Sequence, residues 1–308
     1  MIQLSRLVGQ GILVGATAFS FAAQGVTGRN EESSDFRAIH QFALGEIERT
    51  QGSTVVVFDI DNTILKTPTN LGSEQWVVWQ KSLLDQEPRP PQLVANSFQE
   101  ILIRQDWILA LTTMTPVHPL IPNAVGAYKN AGAKVIALTS RKPDTRDYTV
   151  RHLHDAGIVF SDLQSSNLPL AIGFVPYDLK RPEATGLSRK DLELAGGVAP
   201  RNTVFDRGVY LTDGQHKGLM LKSLLSRMGI TPKSIIFVDD RAHHHVGMQK
   251  AFADSDIVVH SFRHTAMTPT IESFEGSDKV KEGIQWTRFI NGVCAVSEIE
   301  FEEVCESL

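Results

Sequence analysis

The sequence predicts an α/β protein: a doubly wound parallel sheet with a helical cap inserted after the first core strand. Three observations carry that prediction. Residues 54–58 (TVVVF), 134–138 (KVIAL) and 234–238 (SIIFV) are short, apolar and β-branched, which is how strands buried on both faces read. Segments with helical periodicity lie between them, the alternation expected of parallel strands joined by crossover helices. The stretch from Asp59 to Thr139 is far longer than one crossover helix requires, so it has room for an inserted cap.

Composition is compatible with one large domain or two small ones. The chain has 308 residues, 42% hydrophobic and 21% charged, enough to bury a sizeable core. It carries 30 basic and 35 acidic residues, net charge −5, which argues against nucleic-acid binding through bulk positive charge. Its two cysteines, Cys294 and Cys305, are too few for a disulfide framework or a cysteine-rich zinc module.

The first element is an address. Arg6 precedes an uncharged run from Leu7 to Gly28, and Ser20 and Ala22 suit the −3 and −1 positions of a cleavage site. These are the parts of a signal peptide, placed over residues 1–25, and they predict a periplasmic or secreted protein. A retained membrane anchor is the competing reading, weakened by Gln10 and the glycines of the run. After export, Cys294 and Cys305 would meet conditions that allow them to pair; two separate thiols is the alternative.

Periodicity then predicts a helix over 30–50, with Ser33 and Ser34 as cap candidates, and the strand 54–58. Helices follow over 73–84 and 92–103, split by the breakers of 87–91 (EPRPP). A helix over 122–131, the strand 134–138 and a helix over 144–156 come next. Residues 161–200 read as irregular, with room for a second insertion and a candidate strand at 168–174. Residues 203–212 read as a hairpin around Asp206, Arg207 and Gly208. A helix over 213–228, the strand 234–238, a helix over 242–253 and a strand over 256–260 complete the pattern. The predicted organisation is a core over 30–65 and 118–270, a cap over 66–117 and a C-terminal extension over 271–308.

In such sheets functional groups gather beyond the carboxyl ends of strands. The three apolar strands end in Asp59-Ile60-Asp61-Asn62-Thr63, in Thr139-Ser140-Arg141, and in Asp239-Asp240-Arg241. Lys217 stands near the start of the helix leading to the last of them. Four carboxylates at one sheet edge repel unless they share a cation or one is protonated. A ligand set of oxygens alone suits Mg2+, which pairs naturally with phosphate. One carboxylate can attack phosphorus while a second, two residues on, protonates the leaving oxygen and later deprotonates water. That second acid must start protonated, so its acidic neighbours should raise its pKa. The Thr139 hydroxyl and Lys217 ammonium can hold the transferring oxygens, and Lys217 can offset carboxylate charge.

This set resembles the haloacid dehalogenase (HAD) superfamily of phosphohydrolases. Asp59 to Thr63 is similar to its DxDxT motif, Thr139 to its second motif and Lys217 to its third. Asp239 and Asp240 are similar to its acidic fourth motif, and the chain order also agrees. The resemblance spans roughly residues 55–260. It implies Asp59 as nucleophile and metal ligand, and Asp61 as general acid/base and a ligand through its backbone carbonyl. Asp240 matches the usual metal-binding acid, and Asp239 would support Lys217 or the metal. The acid at Asp61 favours phosphoryl hydrolysis over carbon–halogen cleavage. The first motif, the LGSEQW segment and LTSR are also similar to an uncharacterised secreted bacterial HAD-like family and, more distantly, to class B acid phosphatases. Ser140 departs from the glycine of the latter, which puts their substrate range in doubt here.

In the HAD superfamily a cap helps choose substrates. Trp76 and Trp79 share one helix face, and Trp76 is a candidate to stack on a substrate ring. Arg141 could bind a second anionic group or the phosphate itself; Asn62, Thr63 and Ser140 complete the candidate substrate-binding set. His243, His244 and His245 point in different directions on one helix and cannot jointly chelate an ion; one of them could approach the phosphate. The resulting expectation is a Mg2+-dependent phosphomonoesterase acting on a small phosphorylated substrate, with no nucleic-acid partner, no membrane span after cleavage and an open oligomeric state. The rivals are a HAD-like scaffold that binds a host or envelope partner without turnover, and a phosphotransferase.

Overall fold

The structure is a computed structural model and describes residues 28–160 and 171–296. The signal-peptide reading, the first three residues of the candidate strand at 168–174, part of the irregular region and Cys305 lie outside those residues.

The described chain opens with β1 (Asn30–Ser33), α1 (Phe36–Arg49) and β2 (Thr54–Phe58). The predicted helix therefore begins later than its periodicity suggested. Asp35, not Ser33 or Ser34, caps it by accepting from the Arg37 N–H at 2.9 Å. The polar residues before it form an edge strand, which shows no apolar run for a sequence to betray.

The long excursion after β2 holds β3 (Leu65–Lys66), α2 (Glu74–Leu83), α3 (Phe98–Leu111) and β4 (Thr115–Pro116). β3 and β4 pair antiparallel, so the chain leaves and returns through one narrow neck. Ser73 caps α2. The next helix starts and ends later than the predicted 92–103. Ser97 accepts from the Glu100 N–H, and Glu100 reaches back to the Asn96 N–H, a reciprocal cap that sets the start.

The chain continues through α4 (Ile121–Asn130), β5 (Lys134–Thr139), α5 (Arg146–Asp155), β6 (Ala171–Phe174) and α6 (Arg189–Leu194). The hairpin β7 (Thr203–Asp206) and β8 (Val209–Leu211) follows, then α7 (Lys217–Arg227) and β9 (Ser234–Asp239). The last elements are α8 (Ala242–Phe252), β10 (Val258–His264), α9 (Thr268–Glu275) and α10 (Val280–Val296).

One sheet runs in the order β1-β10-β9-β2-β5-β8-β7-β6. Neighbours from β1 to β8 pair parallel, and β7 and β6 add an antiparallel edge. Alternation along β2 feeds two cores: Val56 and Phe58 face α1 and α4, while Val55 and Val57 face α7 and α8. The architecture is thus α/β, with a mostly parallel sheet and helices on both faces, a Rossmann-like arrangement.

A third apolar core lies away from the sheet. Trp76, Val77, Ile101 and Ile108 of α2 and α3 pack with Phe274 of α9, and Trp286 and Phe289 of α10 close it. The C-terminal extension is therefore structural support for the excursion after β2. No helix among the described residues is long and apolar enough to cross a membrane.

Candidate active site

β2 sits between β5 and β9, and the chain passes from β2 to one neighbour early and to the other late. The carboxyl ends of those three strands border the crevice where open α/β sheets bind ligands. Asp59, Asp61, Thr139, Ser140, Arg141 and Asp240 all line one cavity of about 750 Å³ there.

The loop after β2 is tied down from several sides. The Asp59 N–H donates to the Val238 carbonyl, continuing the ladder with β9. The Ile64 and Leu65 N–H groups both donate to the Ile60 carbonyl. Asn62 takes φ of 57°, a left-handed conformation that asparagine tolerates better than most residues. Its amide donates to Glu74 and Gln75 at 3.3 Å. Thr63 is buried, and its hydroxyl donates to Asp59 Oδ2 at 3.0 Å. Of the predicted substrate contacts, Thr63 instead holds the Asp59 carboxylate, and Asn62 ties the loop to the start of α2. Their polar groups are spent on the protein.

Lys217, the first residue of α7, is buried and donates to Asp59 Oδ1 and to Asp239 Oδ2, the latter at 2.7 Å. Small residues allow this meeting. A Cβ on Gly218 would lie 2.7 Å from the Ala251 Cβ and 2.8 Å from the Gly247 carbonyl oxygen, so α7 and α8 approach closely only with glycine there. His216 caps α7 by accepting from the Leu219 N–H.

Asp59, Asp239 and Asp240 each offer an oxygen within 4.8 Å of the others, a set able to hold a cation. The two neighbours on β9 are not equivalent. Asp239 accepts from Lys217, from the Arg241 N–H at 2.8 Å and from His244 Nδ1 at 2.9 Å. Asp240 faces the cavity, with the Arg241 guanidinium 3.6 Å away. The donors are hard oxygens throughout, which fits Mg2+ and gives no preference for softer ions.

Electrostatics separate the acids. Burial pushes Asp59 up to about 7, and the negative charges of Asp239 and Asp61 outlast the pull of Lys217. Burial raises Asp240 to about 9, reinforced by Glu74, Asp59 and Asp239. Asp239 is held below the usual carboxylate range, because Lys217 and His244 outweigh its burial. Lys217 is raised despite burial by its two carboxylates and stays charged.

Asp61 departs from the sequence expectation. Burial raises it, but Arg141 overrides that and holds Asp61 below its ordinary value. The Arg141 guanidinium is bidentate on Asp61, with Nε to Oδ2 at 2.9 Å and Nη2 to Oδ1 at 2.8 Å. Acidic neighbours were expected to dominate; a cation from the strand-end loop of β5 dominates instead. Arg141 also donates to Thr149 and meets His152 Nδ1 at 3.4 Å. His152 is buried, and its Nε2 lies 3.0 Å from the Leu109 carbonyl oxygen and 2.9 Å from that of Thr112, so Nε2 carries the proton. Burial, then Arg141, lowers its pKa to about 4.

Thr139 is buried and its hydroxyl accepts from the Arg141 N–H at 3.2 Å, which leaves its own proton for the cavity. Ser140 is exposed at the mouth. Trp76, predicted to stack on a substrate, is 1% exposed and lies 6.3 Å from the Trp286 ring in the third core. It does not line the cavity. The helix face shared with Trp79 is the one α9 and α10 cover.

Sequence reasoning missed Glu74 and Arg241, and left open which of the three histidines approaches the site. Glu74, at the start of α2, pairs with Arg241 at 2.5 Å, and both line the cavity. His244 is the cavity-lining member of the histidine triplet, while His245 is buried and turned to the Asp239 carbonyl. The acidic start of α2 and the residue after Asp240 were readable signals. Their meeting across more than half the chain was not.

Comparison with known proteins adds a family. No curated protein and no solved structure matches the chain. Residues 37–298, running from α1 through α10 and spanning every element of the cavity, match the family described as "Protein of unknown function (DUF2608)", and the chain belongs to that family.

Proposed function

We propose that the protein is a HAD-like phosphatase that hydrolyses phosphomonoesters through an aspartyl-phosphate on Asp59, with Mg2+ as cofactor. The observation that carries this reading is the convergence of Asp59, Lys217, Asp239 and Asp240 beside Thr139 and Asp61 at three adjacent strand ends. Lys217 and Arg141 offset only part of this negative charge, and Asp240 remains for a bound cation or a proton to balance.

In this reading Thr63 and Lys217 aim the Asp59 carboxylate at phosphorus. Thr139 donates its hydroxyl proton to a phosphoryl oxygen, and Lys217 offsets the charge that builds up. Asp59 and Asp240 would hold Mg2+, with the Asp61 carbonyl, while Asp239 serves Lys217 and His244. When bound, the ion neutralises the phosphoryl oxygens and the acids together. Asp61, kept ionised by Arg141, is set for the second step, in which it takes a proton from the water that attacks the phosphoaspartate. Donating a proton to the leaving oxygen in the first step requires that bidentate grip to open.

Export completes the proposal. The charged, apolar and small-residue order of residues 1–25 supports a cleaved signal and a periplasmic or secreted location. A bond between Cys294 and Cys305 would suit that oxidising compartment.

The test is phosphate release from p-nitrophenyl phosphate. Activity that needs Mg2+, is lost to EDTA and is abolished in Asp59→Asn supports the assignment. Full activity in Asp59→Asn removes the nucleophile, and no release from any monoester removes the enzyme. Products formed in the presence of added alcohols separate hydrolysis from phosphotransfer.

A further inference from the structure

α2 and α3 are apolar on two faces. One face of each helix packs in the third core through Trp76, Ile101 and Ile108. The other faces the carboxylates: Val78 and Lys81 from α2, and Phe98, Leu102 and Leu109 from α3, line the same cavity as Asp59, with Val77 at the border between that cavity and the third core. The spacing in each set is that of one helix stripe. Val78 is 52% exposed and Phe98 40%, so this apolar wall is left open to solvent next to a highly polar floor. Apolar surface left wet in a cleft marks a binding surface.

Several of the polar side chains around that wall already have partners in the protein. Asp106 accepts from Tyr148 at 2.9 Å and from Lys142 at 3.2 Å. Arg201 pairs with Asp213 at 2.6 Å, and Arg241 with Glu74 at 2.5 Å. A leaving group rich in hydroxyls would compete with these pairings for Asp106, Lys142 and Arg201. An aromatic one would find three complementary features. The Phe98 ring is open at the rim, the Lys81 ammonium stands 5.0 Å from its centre, and Tyr148 lines the same cavity. Stacked or edge-on rings gain over their buried area alone, and a cation at the rim adds to that. The cavity of about 750 Å³ suits a ring-sized group.

We propose that the site takes phosphomonoesters whose leaving group carries an aromatic ring, seated against Val78 and Phe98 with its phosphate at Asp59. This rests on the phosphatase reading and narrows it to a substrate class.

The test separates the two. Binding of 2-phenylethylphosphonate, hexylphosphonate and 2-hydroxyethylphosphonate to the full chain with Mg2+ is measured by calorimetry; none of them can be hydrolysed. Turnover of the corresponding phosphate esters, whose leaving oxygens are similar in basicity, is measured alongside. The phenylethyl compound is expected to bind about tenfold more tightly than either of the others. The double variant Val78→Asn, Phe98→Ala, at two exposed positions, should bring that ratio below about threefold. Equal binding of the hexyl or hydroxyethyl compound overturns the aromatic assignment, as does an unchanged ratio in the variant or failure of all three to bind. A binding preference with no turnover of any ester sinks the phosphatase reading and leaves the aromatic wall standing.

Discussion

Arg141 grips Asp61 with two parallel hydrogen bonds, 2.9 and 2.8 Å long, across 80 residues of chain. The pair joins the loop after β2 to the loop after β5. It sets the charge of the acid two residues from the proposed nucleophile.

Arg141→Met should therefore raise the Asp61 pKa, because the cation that overrides burial is gone. Infrared difference spectra of the carboxyl band across a pH series would show this. The same variant should lose about 2 kcal/mol of stability, less than a fully buried pair would, since Asp61 keeps some contact with water. An unchanged carboxyl titration would contradict the pairing.

Asp240→Asn should behave differently with and without the cation. Without it, burial and the charges of Glu74, Asp59 and Asp239 force Asp240 to take up a proton on folding; the variant avoids that cost and should raise the melting temperature by about 2–4 °C. With Mg2+, the natural chain should gain stability and the variant should gain little. Calorimetric scans with EDTA and with Mg2+ would check both halves. A Mg2+ shift of equal size in the two proteins would move the ion elsewhere.

His152 should make the fold sensitive to acid. Its folded pKa is about 4 against an ordinary 6.5, so the unfolded chain binds a proton that the folded chain refuses. Its penalty is absent above pH 6.5, grows as pH falls and levels off below about 4, reaching about 3 kcal/mol. Urea unfolding of His152→Gln, which keeps a donor for the Leu109 and Thr112 carbonyls, should show a shallower loss of stability over that window. Parallel curves for the two proteins would count against it.

Trp76→Ala should cost about 3–5 kcal/mol, the range for deleting a large buried aromatic side chain. Trp76→Phe should recover most of it. A substrate-stacking role would instead leave stability intact and weaken binding, so equilibrium unfolding alone decides between the two.

The parts of the site that were legible from sequence are those fixed within one short segment. A buried strand that stops at Asp59, Thr139 or Asp239 announces both the strand and the residue at its end. The direction in which side chains beyond that point turn is set by partners far away. Asn62 and Thr63 turn inward because Glu74, Gln75 and Asp59 receive them. Asp61 is ionised because Arg141 arrives from another strand. Trp76 is covered because α10 brings Trp286. The edge strand β1 escaped because an edge needs backbone pairing and no apolar side chains. The start of α3 was misplaced because the pairing of Ser97 and Glu100 was overlooked, and that signal was local.

The roof over the carboxylates is assembled from both ends of the described chain. α2 and α3 come early, and the rings that wedge them apart from solvent, Phe274 and Trp286, come last. Transplanting the excursion alone onto a related scaffold would carry over half a core. Exchanging specificity between relatives thus means moving two remote stretches together, and during synthesis the roof has no finished interior until the final helices emerge.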